Sequence, residues 1–320
     1  MSKWLAILLA GLALLAGATG LALAQQSAAL RLAPTPPAAA QLTRSLGLNI
    51  ALEQASSQER SAALDAIAAA GFGWVRQRFP WDQIEPERGV FAWESWDELV
   101  AALDARGLQV VFVLDGAPAG ARAEVDAANP LAPPASRADF GRFAAAVAQR
   151  YGSSLRFYQI WDEPNIAPHW GNRYVDAADY AALLREGAVQ VRSADPDAVV
   201  LLAALAPTVE GGGLNQSDVA YLDALYAAGA APWFDAAAAQ PYGFDRPPDD
   251  PPAAGRLNFR RAELLRAVML RREDAATPLW LTAFGWRSDD AGAASWPGVD
   301  PATQATWAAE ALEWARRHWD

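Results

Sequence analysis

The sequence predicts a (β/α)8 barrel of the TIM type, and two observations lead to this fold class. From about residue 42 to the end of the chain, strand-like and helix-like patterns alternate, which is typical of repeated βαβ units around a parallel sheet. The 320 residues also suit one such barrel, for which about 250 residues is typical. We therefore expect a single α/β domain over residues 42–320.

Seven runs of residues are short and apolar enough to be strands. They are rich in β-branched or aromatic side chains, or in alanine, and such runs suit strands that are buried on both faces of a parallel sheet. In chain order, the predicted strands cover residues 46–52, 73–79, 109–114, 156–161, 199–204, 234–240 and 279–284.

An amphipathic segment with helical periodicity follows each predicted strand. Ser56 and Glu59 have the spacing of a capping box, Asp176 precedes an alanine-rich run, and Asp300 precedes a proline at the first helical position. The predicted helices cover residues 57–70, 93–105, 137–151, 177–193, 219–228, 257–272 and 301–317.

Seven strand–helix units are visible, and the eighth strand of a closed barrel is missing from the pattern. An open barrel exposes two sheet edges, which proteins normally avoid. Three explanations are open: a shortened barrel, a chain that ends early, or an N-terminal segment that takes the place of the eighth strand. We expect the second.

The N-terminal segment predicts export. Residues 4–24 are apolar, follow a lysine, and end in an Ala-x-Ala pattern, so residues 1–24 are predicted to be a signal peptide and the protein to be secreted or extracytoplasmic. The alternative is that residues 4–24 stay uncleaved as a membrane anchor, because their length is sufficient to span a bilayer. Residues 25–41, rich in proline and alanine, are predicted to form a tether.

The composition excludes several classes of function. The formal net charge of −11 argues against binding to nucleic acid or to anionic lipid. The absence of cysteine excludes disulfides, thiolate metal sites and thiol catalysis. We expect no metal and no cofactor, because no His/Asp cluster has ligand spacing and no glycine-rich phosphate loop connects a strand to a helix.

The most informative motif is residues 157–165, which read Phe-Tyr-Gln-Ile-Trp-Asp-Glu-Pro-Asn. The aromatic and β-branched residues favour a buried strand, and Pro164 cannot continue its hydrogen-bond ladder. Glu163 is therefore expected where the strand gives way to a loop. Barrel enzymes carry their catalytic groups at such positions.

This motif resembles the Trp-Asn-Glu-Pro signature of the clan A glycoside hydrolases, retaining (β/α)8 glycosidases that include the family 5 cellulases and the family 39 xylosidases. The resemblance implies that Glu163 is the acid/base residue. Residues 278–286, Pro-Leu-Trp-Leu-Thr-Ala-Phe-Gly-Trp, are similar to the nucleophile strand of the family, with Ala283 at the position of its glutamate. Retaining hydrolysis needs two carboxyl groups about 5–5.5 Å apart, so Ala283 leaves the nucleophile position vacant.

The residues from Arg76 to Trp81 match the second strand of the family. The resemblance implies that Arg76 supports the nucleophile and that Trp81 lies near the sugar; the alternative for Arg76 is an ion pair that ties strand to strand. Asp162 stands where the family has an asparagine that donates to the sugar. An ionised Asp162 can only accept, and its charge next to Glu163 should raise the pKa of one of the two carboxyl groups.

Gln240 and Tyr242 match a His-Pro-Tyr-Gly turn of the family, whose tyrosine hydrogen-bonds to the nucleophile. His169 follows the acid/base motif closely and is expected to line the cleft. Indole faces are suitable stacking surfaces for sugar rings, with core packing as the alternative. The tryptophans predicted to surround the cleft are Trp81, Trp161, Trp170 and Trp286.

Two hypotheses of different classes follow. The chain is either a glycoside hydrolase that acts on a β-linked oligo- or polysaccharide, or an inactive carbohydrate-binding or cell-envelope scaffold protein that keeps the cleft. In an active enzyme, Asp115, Glu53 or Asp245 would take the role of the second carboxylate, and a larger separation from Glu163 would predict inversion. A third reading, a deliberate replacement at Ala283, leaves Asp162 and Gln240 unexplained.

We predict that mature protein begins at Gln25, because the Ala-x-Ala pattern ends at Ala24 and a polar segment follows. Intact-mass spectrometry of protein recovered from an exporting host checks this. An intact N-terminus in the membrane fraction would instead support the anchor.

Overall fold

Seven strands and eight α-helices make up the part of the chain that the computed structural model describes, residues 46–289 and 296–319. The predicted signal peptide and tether, residues 1–41, lie outside the described residues. The strands are β1 (Gly47–Ile50), β2 (Trp74–Pro80), β3 (Gln109–Asp115), β4 (Phe157–Ile160), β5 (Val199–Leu201), β6 (Ala237–Ala239) and β7 (Leu279–Leu281). All seven predicted strands are confirmed, with shorter bounds at several ends.

The helices alternate with these strands. They are α1 (Ser57–Ala69), α2 (Trp81–Ile84), α3 (Glu94–Asp104), α4 (Arg137–Tyr151), α5 (Ala177–Ala194), α6 (Asp218–Ala227), α7 (Ala262–Arg271) and α8 (Pro301–His318). The predicted start signals are confirmed: Ser56 and Glu59 form a capping box, and Asp176 and Asp300 accept hydrogen bonds from the first turns of α5 and α8. Within the described ranges, no helix is long and apolar enough to cross a membrane.

The strands follow one another around the barrel in chain order. Strands β1 to β5 form one parallel sheet, and β6 pairs in parallel with β7. Parallel bridges from Leu201 to Ala236 and from Leu205 to Ala239 join the two sheets. On the other side of the barrel, the Asn49 side chain donates to the Thr282 carbonyl at 2.9 Å. This side-chain bond links β1 to the end of β7, and among the described residues these two strands share no hydrogen-bond ladder.

The interior of the barrel is closed by large side chains. Trp74 on β2 contacts Phe157 on β4 with ring centroids 4.8 Å apart, and it contacts Trp280 on β7 at 5.5 Å. Val111 and Leu201 pack in the same cluster. Edge-to-face aromatic pairs of this kind add attraction beyond the area that they bury. This layer ties β7 to the early strands.

Several element boundaries differ from the predicted ones for local reasons. Strand β4 ends before Trp161, because the backbone of Trp161 turns to φ 68°. Strand β6 begins late, because its pairing with β7 starts at Ala237; the two residues before it pair with β5 instead, where the Asp235 N–H donates to the Val200 carbonyl at 2.7 Å. The last predicted helix before β7 opens with a 3-10 turn, Phe259–Arg261.

The unpredicted helix α2 begins directly after β2. Its Trp81 is buried and donates its indole N–H to Glu85 at 2.7 Å, and Glu85 also accepts from Arg142 at 2.7 Å. Trp81 stacks on Phe143 of α4 with centroids 5.3 Å apart. The segment therefore fixes the loop after β2 onto the helix layer.

A buried ion pair fastens α6 to the segment before α7. Arg261 donates to the Asp218 carboxylate at 2.6 and 2.9 Å, and their side chains are 1% and 3% exposed. The remaining guanidinium donors of Arg261 reach the carbonyls of Thr208 and Arg256 at 3.0 and 2.9 Å. Because each charge is compensated by its partner, removal of either one would leave the other buried and uncompensated.

We predict that Asp218→Ala lowers the free energy of unfolding by about 3–5 kcal/mol, because it leaves the Arg261 charge buried without its partner. Asp223→Ala is the matched control: Asp223 lies on the same helix, but its pair with Arg272 is more than one third exposed. The control should cost about 0–1 kcal/mol. Chemical denaturation of both variants measures the difference, and equal losses would contradict this account.

Candidate active site

The predicted catalytic residues lie at the carboxyl ends of the parallel strands. Glu163 follows β4, Tyr242 follows β6 and Ala283 follows β7. A parallel bridge between Tyr242 and Gly285 continues the pairing of β6 with β7 beyond the strands themselves. The Arg76 side chain, which begins inside β2, reaches the same end, because it bonds to the residue before Glu163.

A strained turn presents Glu163. Trp161 and Glu163 have φ angles of 68° and 49°, in the left-handed region that residues with a Cβ rarely adopt. The turn is held by the Trp161 N–H, which donates to the Leu114 carbonyl at 3.0 Å, and the Glu163 N–H, which donates to the Ala204 carbonyl at 2.9 Å. Each such residue costs about 1–3 kcal/mol and persists only where the surroundings hold it.

Asn165 completes the support of this turn. It is fully buried, donates to the carbonyls of Ala206 and Gln216 at 2.9 Å, and accepts from the Ala206 N–H at 2.8 Å. The loops after β4 and β5 are thereby joined below Glu163.

Arg76 is the centre of a hydrogen-bond network among the strand ends. Its Nη2 donates to Asp162 Oδ1 at 2.7 Å, its Nε to Gln159 Oε1 at 3.1 Å and its Nη1 to Asn49 Oδ1 at 3.1 Å. Gln159 also donates to Asp162 Oδ1 at 2.9 Å. The network therefore spans β1, β2 and β4, which is the strand-tying role given above as the alternative for Arg76.

The environment of Glu163 raises its pKa to about 7. Burial is the main cause, the negative charge of Asp162 adds to it, and the positive charge of Arg76 opposes it. The expected interaction between the two adjacent carboxyl groups is thus present, although desolvation contributes more. A carboxyl group with this pKa exchanges protons near neutral pH.

His169 is a direct neighbour of Glu163. Its Nε2 lies 3.3 Å from Glu163 Oε2, and burial lowers the pKa of the imidazole. The His169 carbonyl accepts from the Trp161 indole N–H at 3.1 Å, which helps to fix the loop. The structure thus places His169 beside the acid/base candidate.

Tyr242 donates to Gln240 Oε1 at 3.0 Å. Burial and then the negative charge of Glu163 raise the pKa of Tyr242 to about 12. Tyr242 is therefore close enough to Glu163 for the charge of Glu163 to shift its pKa. Its hydroxyl is bound to Gln240, the residue that takes the place of the histidine in the His-Pro-Tyr-Gly turn.

The three alternative carboxylates differ in their surroundings. Asp115 is buried and receives two hydrogen bonds from Arg78, at 2.8 and 3.1 Å, and burial raises its pKa to about 6. Glu53 accepts from Gln77 at 2.8 Å. The Asp245 side chain is 58% exposed, with a distant contact to Arg246 at 3.9 Å.

The expectation that four tryptophans line the cleft is corrected by their burial. Trp81, Trp161 and Trp170 are 1–2% exposed and Trp286 is 6% exposed. Each indole packs against aromatic side chains of the core, as Trp161 does against Phe140 and Trp170. With both faces covered, none of them offers a stacking surface to a sugar in this structure.

Sequence reasoning gave no role to Gln159, Asn49 or Asn165, all of which organise the site. Gln159 was the clearest available signal, because it is a polar residue in the middle of a fully buried strand, where unpaired amides are costly. Over the described ranges, no group of three or more His, Asp or Glu side chains is arranged to hold a metal ion.

We predict that Glu163→Gln stabilises the fold at about pH 8 relative to about pH 4, by on the order of 3 kcal/mol. The pKa of Glu163 is raised in the folded state, so its contribution to stability is fully present below about 4.5 and is lost as the pH rises through about 7. Glutamine stays neutral throughout. Denaturation curves at both pH values measure the change; Glu94→Gln on the exposed face of α3 is the control, and an identical pH response in both variants would contradict the prediction.

Comparison with protein families gives one match. The family 42 glycoside hydrolase model, described as beta-galactosidase, matches residues 51–122, the segment that contains β2 and β3 with Arg76 and Asp115. No curated protein matches the sequence.

Solved structures give broader likenesses. A family 39 glycoside hydrolase from the gut symbiont Bacteroides cellulosilyticus WH2 aligns with a TM-score of 0.62 at 21% identity, over 85% of this chain and 54% of that one. A glucosidase from Croceicoccus marinus aligns with a TM-score of 0.58 at 17% identity, over 79% of this chain and 53% of that one. An exo-beta-1,4-mannosidase from Opitutaceae bacterium strain TAV5 aligns with a TM-score of 0.58 at 17% identity, over 86% of this chain and 50% of that one.

The chain spans about half the length of these structures. At such identities the likeness concerns the fold, and the aligned proteins are TIM-barrel glycosidases. The chain therefore has a glycoside hydrolase-like fold, a partial (β/α)8 barrel.

Proposed function

We propose that the chain binds a β-linked carbohydrate at the carboxyl ends of its strands, with Glu163 as the acid/base residue, and that retaining hydrolysis is weak or lost. The observation that carries this proposal is the Glu163 carboxyl group at the end of β4, with a pKa of about 7. A general acid works best when its pKa lies near the operating pH. Burial, a neighbouring carboxylate and a fixed turn all favour that role for Glu163.

Ala283 is the reason for proposing weak or lost hydrolysis. By the resemblance, this position would carry the carboxylate that attacks the anomeric carbon, and a methyl group has no electron pair to donate. Asp162 is bound to Arg76 and Gln159, and Asp115 is bound to Arg78. Both carboxylates therefore already serve as counter-ions of arginines, and we favour a weakened reaction over one that is relocated to Asp162 or Asp115.

A second candidate function is carbohydrate binding without catalysis, as an inactive scaffold protein of the cell envelope. The pairing of Arg76 with Asp162 favours it, because the guanidinium that would support a nucleophile already has a counter-ion. Binding to β-linked oligosaccharides with no turnover under any condition would identify this function.

We also propose that the protein is secreted or extracytoplasmic, on the basis of residues 1–24. If residues 4–24 stay uncleaved, the same segment would attach the domain to a membrane.

We predict that the unaltered chain shows little or no turnover of aryl β-glycosides and that azide raises it. Azide would attack the anomeric carbon as the aryloxide leaves, and Glu163 would donate a proton where the leaving group needs one. The product is a glycosyl azide of inverted configuration, detectable by mass spectrometry and NMR. General acid catalysis contributes about 10²–10⁴-fold, so Glu163→Gln should remove most of the rescued rate for substrates with poor leaving groups.

Ala283→Glu should restore part of the retaining reaction, because it returns the second carboxyl group. Hydrolysis of aryl β-glycosides followed by NMR gives both the rate and the stereochemistry. If the unaltered chain is already active and Ala283→Glu changes neither, another carboxylate is responsible. Asp115→Asn, Glu53→Gln and Asp245→Asn then identify it by loss of activity.

A further inference from the structure

Arg76 is a largely buried cation that is balanced by one anion. The side chains of Arg76 and Asp162 are 14% and 16% exposed, and their contact is 2.7 Å. The other two nitrogens of the guanidinium donate to neutral amide oxygens, those of Gln159 and Asn49. Of the carboxylates in residues 46–289 and 296–319, Asp162 is the one in contact with Arg76.

Position 283 borders the same network. Asn49 accepts from Arg76 with its oxygen and donates with its nitrogen to the carbonyl of Thr282, at 2.9 Å. On the other side of Ala283, Gly285 bridges Tyr242, whose hydroxyl senses the charges of both Glu163 and Arg76. A carboxylate at position 283 would therefore join the charged groups around Arg76.

The single positive charge of Arg76 can balance one carboxylate beside Glu163, at position 162 or at position 283. Carboxylates at both positions would be unfavourable. A carboxylate added at position 283 would be the third beside Arg76, after Asp162 and Glu163, and Arg76 is already neutralised. The second arginine nearby, Arg78, is itself paired with Asp115. Removal of the Asp162 charge alone would leave the largely buried Arg76 without a counter-ion. Both single changes are costly, because uncompensated charge is poorly tolerated away from water. With both changes made, the positive charge of Arg76 would again be paired with one carboxylate, now at position 283.

We propose that residues 162 and 283 are a charge-coupled pair, in which Asp162 is a positioning residue that supplies the counter-ion of Arg76 because Ala283 does not. The coupling itself follows from the contacts of Arg76, whereas its consequence for catalysis rests on the proposed function. The site accepts a carboxylate at either position but not at both, so Ala283→Glu alone recovers part of the reaction and the exchange of both residues recovers more of it.

Thermal unfolding of four proteins tests the coupling: the unaltered chain, Asp162→Asn, Ala283→Glu and the double variant. We expect each single change to lower the melting temperature and the double variant to lose less than the sum, by about 3 °C or more. The control pair is Asp223→Asn with Ala283→Glu. Asp223 contacts Arg271 and Arg272 on the helix layer, so these two changes should be additive. Additivity in both pairs would overturn the proposal.

The pKa of Glu163 can be measured by carboxyl ¹³C NMR over a range of pH values. If the role of Asp162 were purely structural, its replacement would leave this pKa unchanged. The groups that face Glu163 are Asp162 beside it, Arg76 from β2, His169 from its own loop and Tyr242 after β6. Asp162→Asn should lower the pKa of Glu163, because it removes a negative charge and unmasks Arg76. The double variant should bring the pKa back towards that of the unaltered chain, and an unmoved pKa in Asp162→Asn would count against the proposal.

Aryl β-glycoside turnover separates this inference from the proposed function. The double variant should exceed Ala283→Glu alone by about tenfold or more, since Arg76 is then free to support the new carboxylate. If unfolding and titration behave as expected but none of the four proteins turns over substrate, the charge pair is supported and the proposed catalysis is contradicted.

Discussion

The site depends on one guanidinium, that of Arg76, which is largely buried. Arg76 begins in the second strand, and its three nitrogens reach Asn49 on the first strand, Gln159 on the fourth and Asp162 beyond it. A fixed fork of donors suits this task, because each bond has its own direction and the charge never titrates. The strand ends are thereby held at defined separations, and the loop that carries Glu163 takes its position from them.

The turn at Glu163 illustrates how the fold sustains a costly conformation. Two residues with positive φ would be unfavourable in isolation, yet backbone bonds to Leu114 and Ala204 and the buried amide of Asn165 hold them. The same packing removes water from the carboxyl group and raises its pKa. Strain and desolvation thus have a common origin in the loops that converge behind the fourth strand.

The aromatic residues show a division of roles that differs from the expected one. Trp161 and Trp170 were predicted to face a ligand, but they are buried and pack the loop that carries Glu163 against the helices. Two other indoles, those of Trp74 and Trp280, close the barrel interior. Polar and titratable groups surround the strand ends instead. The charge of Asp162 acts on Arg78, Asp115 and His169, and His169 lies 3.3 Å from Glu163.

The sequence by itself determined the order and type of the elements, because apolar runs, capping residues such as Ser56 and Asp176, and the break at Pro164 are local signals. It also determined that Glu163 stands at a strand end. Only the tertiary structure decided which partners Arg76 binds and how deeply Trp81 and Trp161 are buried. These properties depend on contacts between residues far apart in the chain, such as Asn49 with Thr282 and Arg76 with Asp162, and local periodicity carries no information about them.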